Sequence, residues 1–295
     1  MRRVILMAMG MVLCICTNSP IMPDDTVNNT DSTYTITFNA NGGTVSPTFA
    51  KTGTNGKLAS LPVPTRESYT FKGWYTAASN GEAVSTNRVY SANTTIYAQW
   101  AFVFVDSRDD RTYRKATIGT QVWMAENLNY DIPDDTTDMC YEKSADSCAK
   151  YGRLYSWATA MGIDMSYNDS YLFGSDANHQ GVCPSGWHLP NNNEWGILTN
   201  HAGGASGAGK KLKSTSGWLN NGNGTDEYGF SALPSGYGRS DGVFGNAGCC
   251  YGYWWSASNI YNDSAWCRFM RFSDGNMGSN YHPKTSLYSV RCVQD

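Results

Sequence analysis

The side chains best equipped for chemistry here are carboxylates, thiols and a histidine. Glu126 and Glu194 are available as a carboxylate pair, and Glu126 stands with Asn127 in an apolar context. Two carboxylates flanking a sugar can hydrolyse it, with retention at about 5 Å separation and inversion at roughly 6.5–9.5 Å. Sequence alone supplies no separation, and buried acids more often satisfy backbone hydrogen bonds in a loop-rich fold. Asp106, Asp109 and Asp110 cluster as a calcium loop would. Arg108 and Arg111 stand among them and no loop-closing glutamate follows, so the run reads as a hairpin with Asp109-Asp110 at its tip. His179, His188, His201 and His282 lack ligand spacing, and Cys249-Cys250 is not a CxxC pair, so no metal is expected. GxSxG, HExxH and GxGxxG frameworks are missing in any suitable context, so no cofactor is expected and no catalytic residue is assigned.

The densest run of constrained residues is GVCPSGWHLPNNNEW, Gly181 to Trp195. Each part has a structural task. Cys183 is a staple, Pro184 and Gly186 shape a turn, and Trp187 and Leu189 fill a core. Asn191 with Glu194 three residues on forms a capping box that starts a helix carrying Trp195, Ile197 and Leu198 inward. Only His188 has no task, and a lone histidine is more often a hydrogen-bonded core residue than a catalyst.

The elements that must position these residues follow from patterning. The chain has 295 residues, 41% hydrophobic and 16% charged, which suits about two globular domains. A net charge of -3 argues against nucleic acid as a partner. Residues 1–19 form an export signal, with Arg2 and Arg3 ahead of an apolar run too short for the ~20 residues of a membrane span. Cys16 is a candidate for lipid attachment, the one route by which a membrane would be a partner; Cys14 lies close by. Ile15 stands where such signals prefer a small residue, and ordinary cleavage near Cys16 to Ser19 is the alternative. Residues 20–33 are a polar tether without hydrophobic periodicity.

Residues 34–100 read as a small β unit. Tyr34 to Phe38 alternates as a half-buried strand does, Asn41-Gly42-Gly43 makes a turn, and further strands lie at Tyr69–Phe71 and Thr95–Trp100. YTITFNANGGTV, PTRESYTFKGWYT and TTIYAQW resemble the Listeria–Bacteroides repeat, also known as the B-repeat of internalin-type surface proteins. That resemblance implies a β-grasp-like surface spacer without a catalytic set.

Residues 101–295 form a second unit that opens with a strand, Phe102–Val105. A helix is expected over Tyr151–Met161, with Leu154, Trp157, Ala158 and Met161 on one face and Gly162 as its C-cap. WMAENLNY, YGRLY, VCPSGWHLP, GFSALPSG, WWS and VRCV resemble the Fibrobacter succinogenes major paralogous domain. The resemblance implies an α+β, loop-rich, C-type-lectin-like fold with two short helices and short antiparallel strands, in an exported or cell-surface protein. It implies no established activity.

An exported chain makes disulfides the default for the seven cysteines of this unit. Cys140 with Cys148 would close a small loop. Cys183 with Cys292 would tie the two ends, as lectin-like folds do. Cys267 would pair with Cys249 or Cys250, the latter being the pairing carried forward. Adjacent cysteines, with Cα atoms ~3.8 Å apart, are closer than disulfide geometry favours. Kinship with formylglycine-generating enzymes offers an alternative in which Cys267 and a second thiol form a redox or copper site.

Lectin-like folds place ligands on long loops, here Gly236–Tyr253 and Ser273–Thr285. Tyr237, Tyr251, Tyr253, Trp254, Trp266 and Tyr281 are the rings that could stack on a sugar. Trp254 and Trp255 cannot face one way on a strand, so one is expected in the core. The calcium-lectin triplets Glu-Pro-Asn and Trp-Asn-Asp are missing, so sugar binding would be calcium-independent. The expectation is a non-catalytic binding or adhesion module whose partner is a polysaccharide or another surface protein. A purely structural envelope protein is the alternative.

Overall fold

The structure is a computed structural model that describes residues 32–133, 138–175 and 177–295. The export signal, Cys14, Cys16 and most of the tether lie outside the described residues.

The first unit is built on β1 (Thr35–Asn39), β2 (Phe49–Lys51), β3 (Tyr69–Tyr75), β4 (Ala83–Val84) and β5 (Thr94–Asp106). Strand β1 alternates as its sequence demands, with Ile36 and Phe38 buried between outward threonines. It pairs antiparallel with β2 and parallel with β5. Ile36, Phe38, Trp74, Ile96 and Ala98 form the small core.

Strand β5 does not stop at the expected boundary between residues 100 and 101. Its partner is β3 as far as Phe102, and from Val103 onward it pairs with β6 (Arg111–Ile118). The β5–β6 hairpin turns at Asp109-Asp110, with Asp110 in the left-handed region at φ 56°. Asp106 lies buried at its base and is paired with Arg108 at 2.6 Å. The sheet continues through β7 (Gln121–Met124) towards the C-terminal strand.

Next come β8 (Asp138–Met139), α1 (Ala145–Tyr151), β9 (Leu154–Tyr155) and α2 (Trp157–Met161). The single helix expected over Tyr151–Met161 is thus corrected to helix end, strand and new helix. Gly152, at φ 77°, ends α1, and a Cβ there would lie 2.8 Å from Asn127 Cβ and from Leu128 O. Leu154 and Tyr155 then join a sheet, and Ser156 caps α2 by accepting from Thr159 N. The four expected apolar positions are all buried, and Gly162 does cap α2. Helical spacing had two explanations here, and only the tightness at Gly152 separates them.

Strand β10 (Trp187–His188), α3 (Asn192–His201) and α4 (Ala208–Leu212) follow, then β11 (Tyr237–Gly238) and β12 (Phe244–Gly245) as a short ribbon. Strands β13 (Tyr251–Asn259), β14 (Ser264–Arg271), β15 (Gly278–Pro283), β16 (Tyr288–Ser289) and β17 (Val293–Gln294) complete the chain. The second sheet has the order β15-β14-β13-β16-β9-β8. The protein is therefore α+β and mostly strand, with four short α-helices among the described residues rather than two.

Strand β13 is central and has a core on each face. Trp255 packs with Tyr155, Trp157 and Tyr288. Trp254 packs with Trp123, Trp195 and Phe230 on the other face. Both indoles are fully buried, so the expectation of one inward tryptophan is corrected. Ile197 is exposed and not inward, while Trp195 and Leu198 are buried as expected.

Cys140–Cys148 and Cys183–Cys292 are bonded as expected. The expected Cys250–Cys267 bond is corrected: Cys249 bonds Cys250, and Cys267 is a free, buried thiol. The register explains this. Phe272 N donates to Cys250 O, and Cys267 pairs with Trp255 further along β14. At about 3.3 Å per residue that separation is roughly 16 Å, beyond disulfide reach.

Candidate functional site

The six rings singled out by sequence do not form one surface. Trp254 is in the core, where its Nε1 donates to Asn127 Oδ1 at 2.7 Å, so it offers no ring to a ligand. Tyr237, Tyr251 and Tyr253 are half-buried on the β13 face that carries Trp255. Tyr251 and Tyr253 are near parallel (5.7 Å between centroids, 11°), and Tyr253 lies on Tyr288 at 4.9 Å and 16°. This column is an outward continuation of the core, and burial pushes the Tyr253 hydroxyl up to about 12.

Trp266 and Tyr281 face the other way. They are cross-strand partners on β14 and β15, and their rings meet edge to face at 5.8 Å. Tyr261, in the turn between β13 and β14, packs on Tyr281 at 5.4 Å. Tyr281 is 44% exposed and Tyr261 52%.

A second loop comes alongside. Tyr171 and Phe173 contact each other at 5.1 Å, and Phe173 is 87% exposed. Asn259, at the end of β13, holds this loop: its Oδ1 accepts from Leu172 N at 2.7 Å and its Nδ2 donates to Leu172 O at 3.2 Å. Lys284 joins both loops. Its ammonium donates to Tyr167 O (2.9 Å), Ser170 O (2.7 Å) and Asn262 O (2.8 Å), with the Trp157 ring 4.4 Å away. Burial pulls this ammonium down to about 8, against the pull of Asp263 and Asp169.

This end of the domain therefore presents Tyr171, Phe173, Tyr261, Trp266 and Tyr281 on neighbouring loops and one sheet edge. Of these rings, the sequence reading singles out Trp266 and Tyr281 and leaves Tyr171, Phe173 and Tyr261 aside. A signal was present: Tyr171 follows Asn168-Asp169-Ser170 and Tyr261 precedes Asn262-Asp263. Large rings inside polar turns have no core to enter.

Lys284 is one of several buried cations that bind loop carbonyls. Lys213 donates to Arg271 O (3.1 Å) and Asp274 O (2.8 Å). Arg268 reaches Asn192 Oδ1 and Ser279 Oγ, each at 2.9 Å. Arg291 holds Asn127 Oδ1 and the carbonyls of Met124 and Phe230. Burial lowers Arg268 to about 10 and Arg291 to about 9, so both stay charged at neutral pH. Among the described residues no group of three or more His, Cys, Asp or Glu is placed to hold a metal ion.

The acids have separate structural partners. Glu126 accepts from the backbone and guanidinium of Arg114. Glu194 completes the capping box of α3 and accepts from His188 Nε2 at 2.6 Å. His188 Nδ1 meets Asp295 Oδ1 at 2.6 Å, so the histidine without a task is a clamp between two acids. Burial lowers its pKa, but hydrogen bonds and charge from Glu194 and Asp295 outweigh this and raise it above 6.5. Burial pushes the Cys267 thiol up to about 12.

A family model described as the Fibrobacter succinogenes major domain matches residues 116–294, and one for the Listeria-Bacteroides repeat matches residues 34–99. No solved structure matches the chain. Among the described residues no helix is long and apolar enough to cross a membrane.

Proposed function

Because the chain belongs to the Fibrobacter succinogenes major domain family and carries a Listeria-Bacteroides repeat ahead of that domain, we propose that it is an exported cell-surface module that binds polysaccharide without catalysis. The observation that carries this reading is two groups of surface rings, Tyr261–Trp266–Tyr281 and Tyr171–Phe173, on loops that Lys284 and Asn259 tie together. Exposed rings offer flat apolar area to the C–H faces of pyranoses, and an exposed aromatic patch marks an interaction surface. The polar groups beside them, such as Asn262, Asp263 and Asn280, suit sugar hydroxyls.

The C-terminal unit is read as C-type-lectin-like, which the Cys183–Cys292 tie, the short helices and the loop-rich sheet support. Binding is calcium-independent: Lys284 does for these loops what a cation held by loop oxygens would do. The thiols speak against the redox alternative alone, since Cys249 and Cys250 are bonded and Cys267 is buried with its pKa raised. Lipid attachment at Cys16 remains part of this reading as the means of display.

Retention of the full chain on insoluble cellulose and xylan tests it. The native protein is expected to be retained and Phe173→Ala/Tyr261→Ala to flow through, with unchanged melting. No retention of the native protein, or equal retention of the double variant, sinks the reading. In that case a surface protein is the partner to seek.

A further inference from the structure

A second concave site lies away from the aromatic end. A cleft of about 500 Å³ opens between the β6–β7 edge, the end of α1 and the loops 214–216 and 226–233. Its floor is Arg291, whose guanidinium is buried and donates only to neutral acceptors: Asn127 Oδ1 at 3.0 and 2.6 Å, Met124 O at 3.3 Å, and Phe230 O. Arg111, Arg114 and Lys150 also line it.

The acids of the lining are Glu126 and Asp226, and both are engaged. Glu126 is held by Arg114. Asp226 accepts from Ser231 N and Oγ, each at 2.6 Å. Four cations therefore face two occupied carboxylates, in a chain whose net charge is -3. Arg111 reaches Asp109 only at 3.6 Å, and Lys150 lies over the Tyr151 ring. The rest of the wall is rich in hydroxyls, including Thr112, Ser214, Thr215 and Ser216.

The wall is also strained. Asp226 (φ 48°) and Ser231 (φ 53°) both occupy the left-handed region, a costly choice for serine. Such conformations cluster at ligand sites because the surroundings must hold them. The loop is held in this shape by Asp226 N donating to Lys213 O, by the Ser231 bonds to Asp226 and by the buried Phe230 between them.

We propose that the cleft binds a carboxylate-bearing sugar unit, a uronate, as a site separate from the aromatic end. Arg111 and Lys150 at the rim take the carboxylate, and the field of Arg291 favours the negative charge from below. The wall hydroxyls, Asn129 and the free lone pairs of Asp226 and Glu126 bond the ring hydroxyls. Cations alone would take any anion. It is their combination with a hydroxyl-lined cavity of this volume that selects a charged polyol.

Isothermal titration calorimetry of the full chain with tetragalacturonate, cellotetraose and inorganic phosphate tests this. The native protein is expected to bind tetragalacturonate, and more weakly as salt rises from about 50 to about 500 mM. Arg111→Gln/Lys150→Gln is expected to weaken that binding at least about tenfold with unchanged melting. No binding of tetragalacturonate, equal binding by the double variant, or equally tight binding of phosphate or cellotetraose overturns the proposal. Retention on cellulose, measured in parallel, reports on the aromatic end, so the failure of one site is distinguishable from the failure of the other.

Discussion

Replacing Lys284 with methionine keeps most of the stem against Trp157 and removes every donor. The three N–H donors serve Tyr167 O, Ser170 O and Asn262 O, with Asn259 Oδ1 a longer fourth acceptor at 3.4 Å, and all of these contacts are lost. At about 1.5–3 kcal/mol each, the gross loss is roughly 5–9 kcal/mol. Two terms reduce it. The burial cost of an ammonium, several kcal/mol, is recovered. Ser170 and Asn262 are exposed residues, so water can reach part of what the lysine held. The expected net destabilisation is about 2–4 kcal/mol, measured by urea unfolding at neutral pH with an unchanged m-value. The local effect is more diagnostic. Hydrogen exchange should quicken at 168–173 and 261–263 before other segments, and retention on polysaccharide should weaken with it. A loss below about 0.5 kcal/mol with unchanged exchange would refute the reasoning, because it would mean that the burial cost of the ammonium cancels the clasp.

Other outcomes follow from the same structure. His188→Gln should lower stability most at and below pH 6.5. The raised folded pKa makes the clamp's contribution complete below the unfolded value and lost as pH rises through the folded one, so urea midpoints of the two proteins should converge above 6.5. Cys183→Ser opens a tie with a sequence separation of 109 and should cost about 4–5 kcal/mol in the chain-entropy model, read by the shift in melting. Cys267 should resist thiol reagents in the native state and react with one equivalent after unfolding without reductant; rapid native labelling would contradict its burial. Trp254→Ala should cost about 3–5 kcal/mol, whereas Phe173→Ala should cost less than about 0.5 kcal/mol.

What was legible in the chain was local or strongly constrained. The alternation of β1, the Asp109-Asp110 hairpin and the Asn191–Glu194 capping box all arise from residues within a few positions of one another. Cys183–Cys292 was reachable only through likeness to a known fold, since spacing alone permits many pairings. The misses have a shared cause. Cys267 belongs beside Trp255 because of a strand register that composition does not carry. Both tryptophans of β13 are buried because that strand is central, and an alternating rule assumes one wet face. The buried lysines were invisible because lysine reads as surface, and only a loop with orphan carbonyls reverses that expectation. The aromatic end was half seen. Tyr171 and Phe173 reach Tyr261 through Asn259 and Lys284, contacts that span about 90 to 115 positions.

Strand β5 has a mechanical consequence. One uninterrupted run of thirteen residues belongs to the repeat unit at its start and to the C-terminal domain at its end. Tyr69 stacks on Phe102 at 5.0 Å, and Lys115 lies 3.7 Å from the same ring, so both units grip the crossing point. A pull applied across the two units therefore meets no slack at this junction. The load runs along a strand and must shear its lateral hydrogen bonds together, the direction in which a sheet resists most.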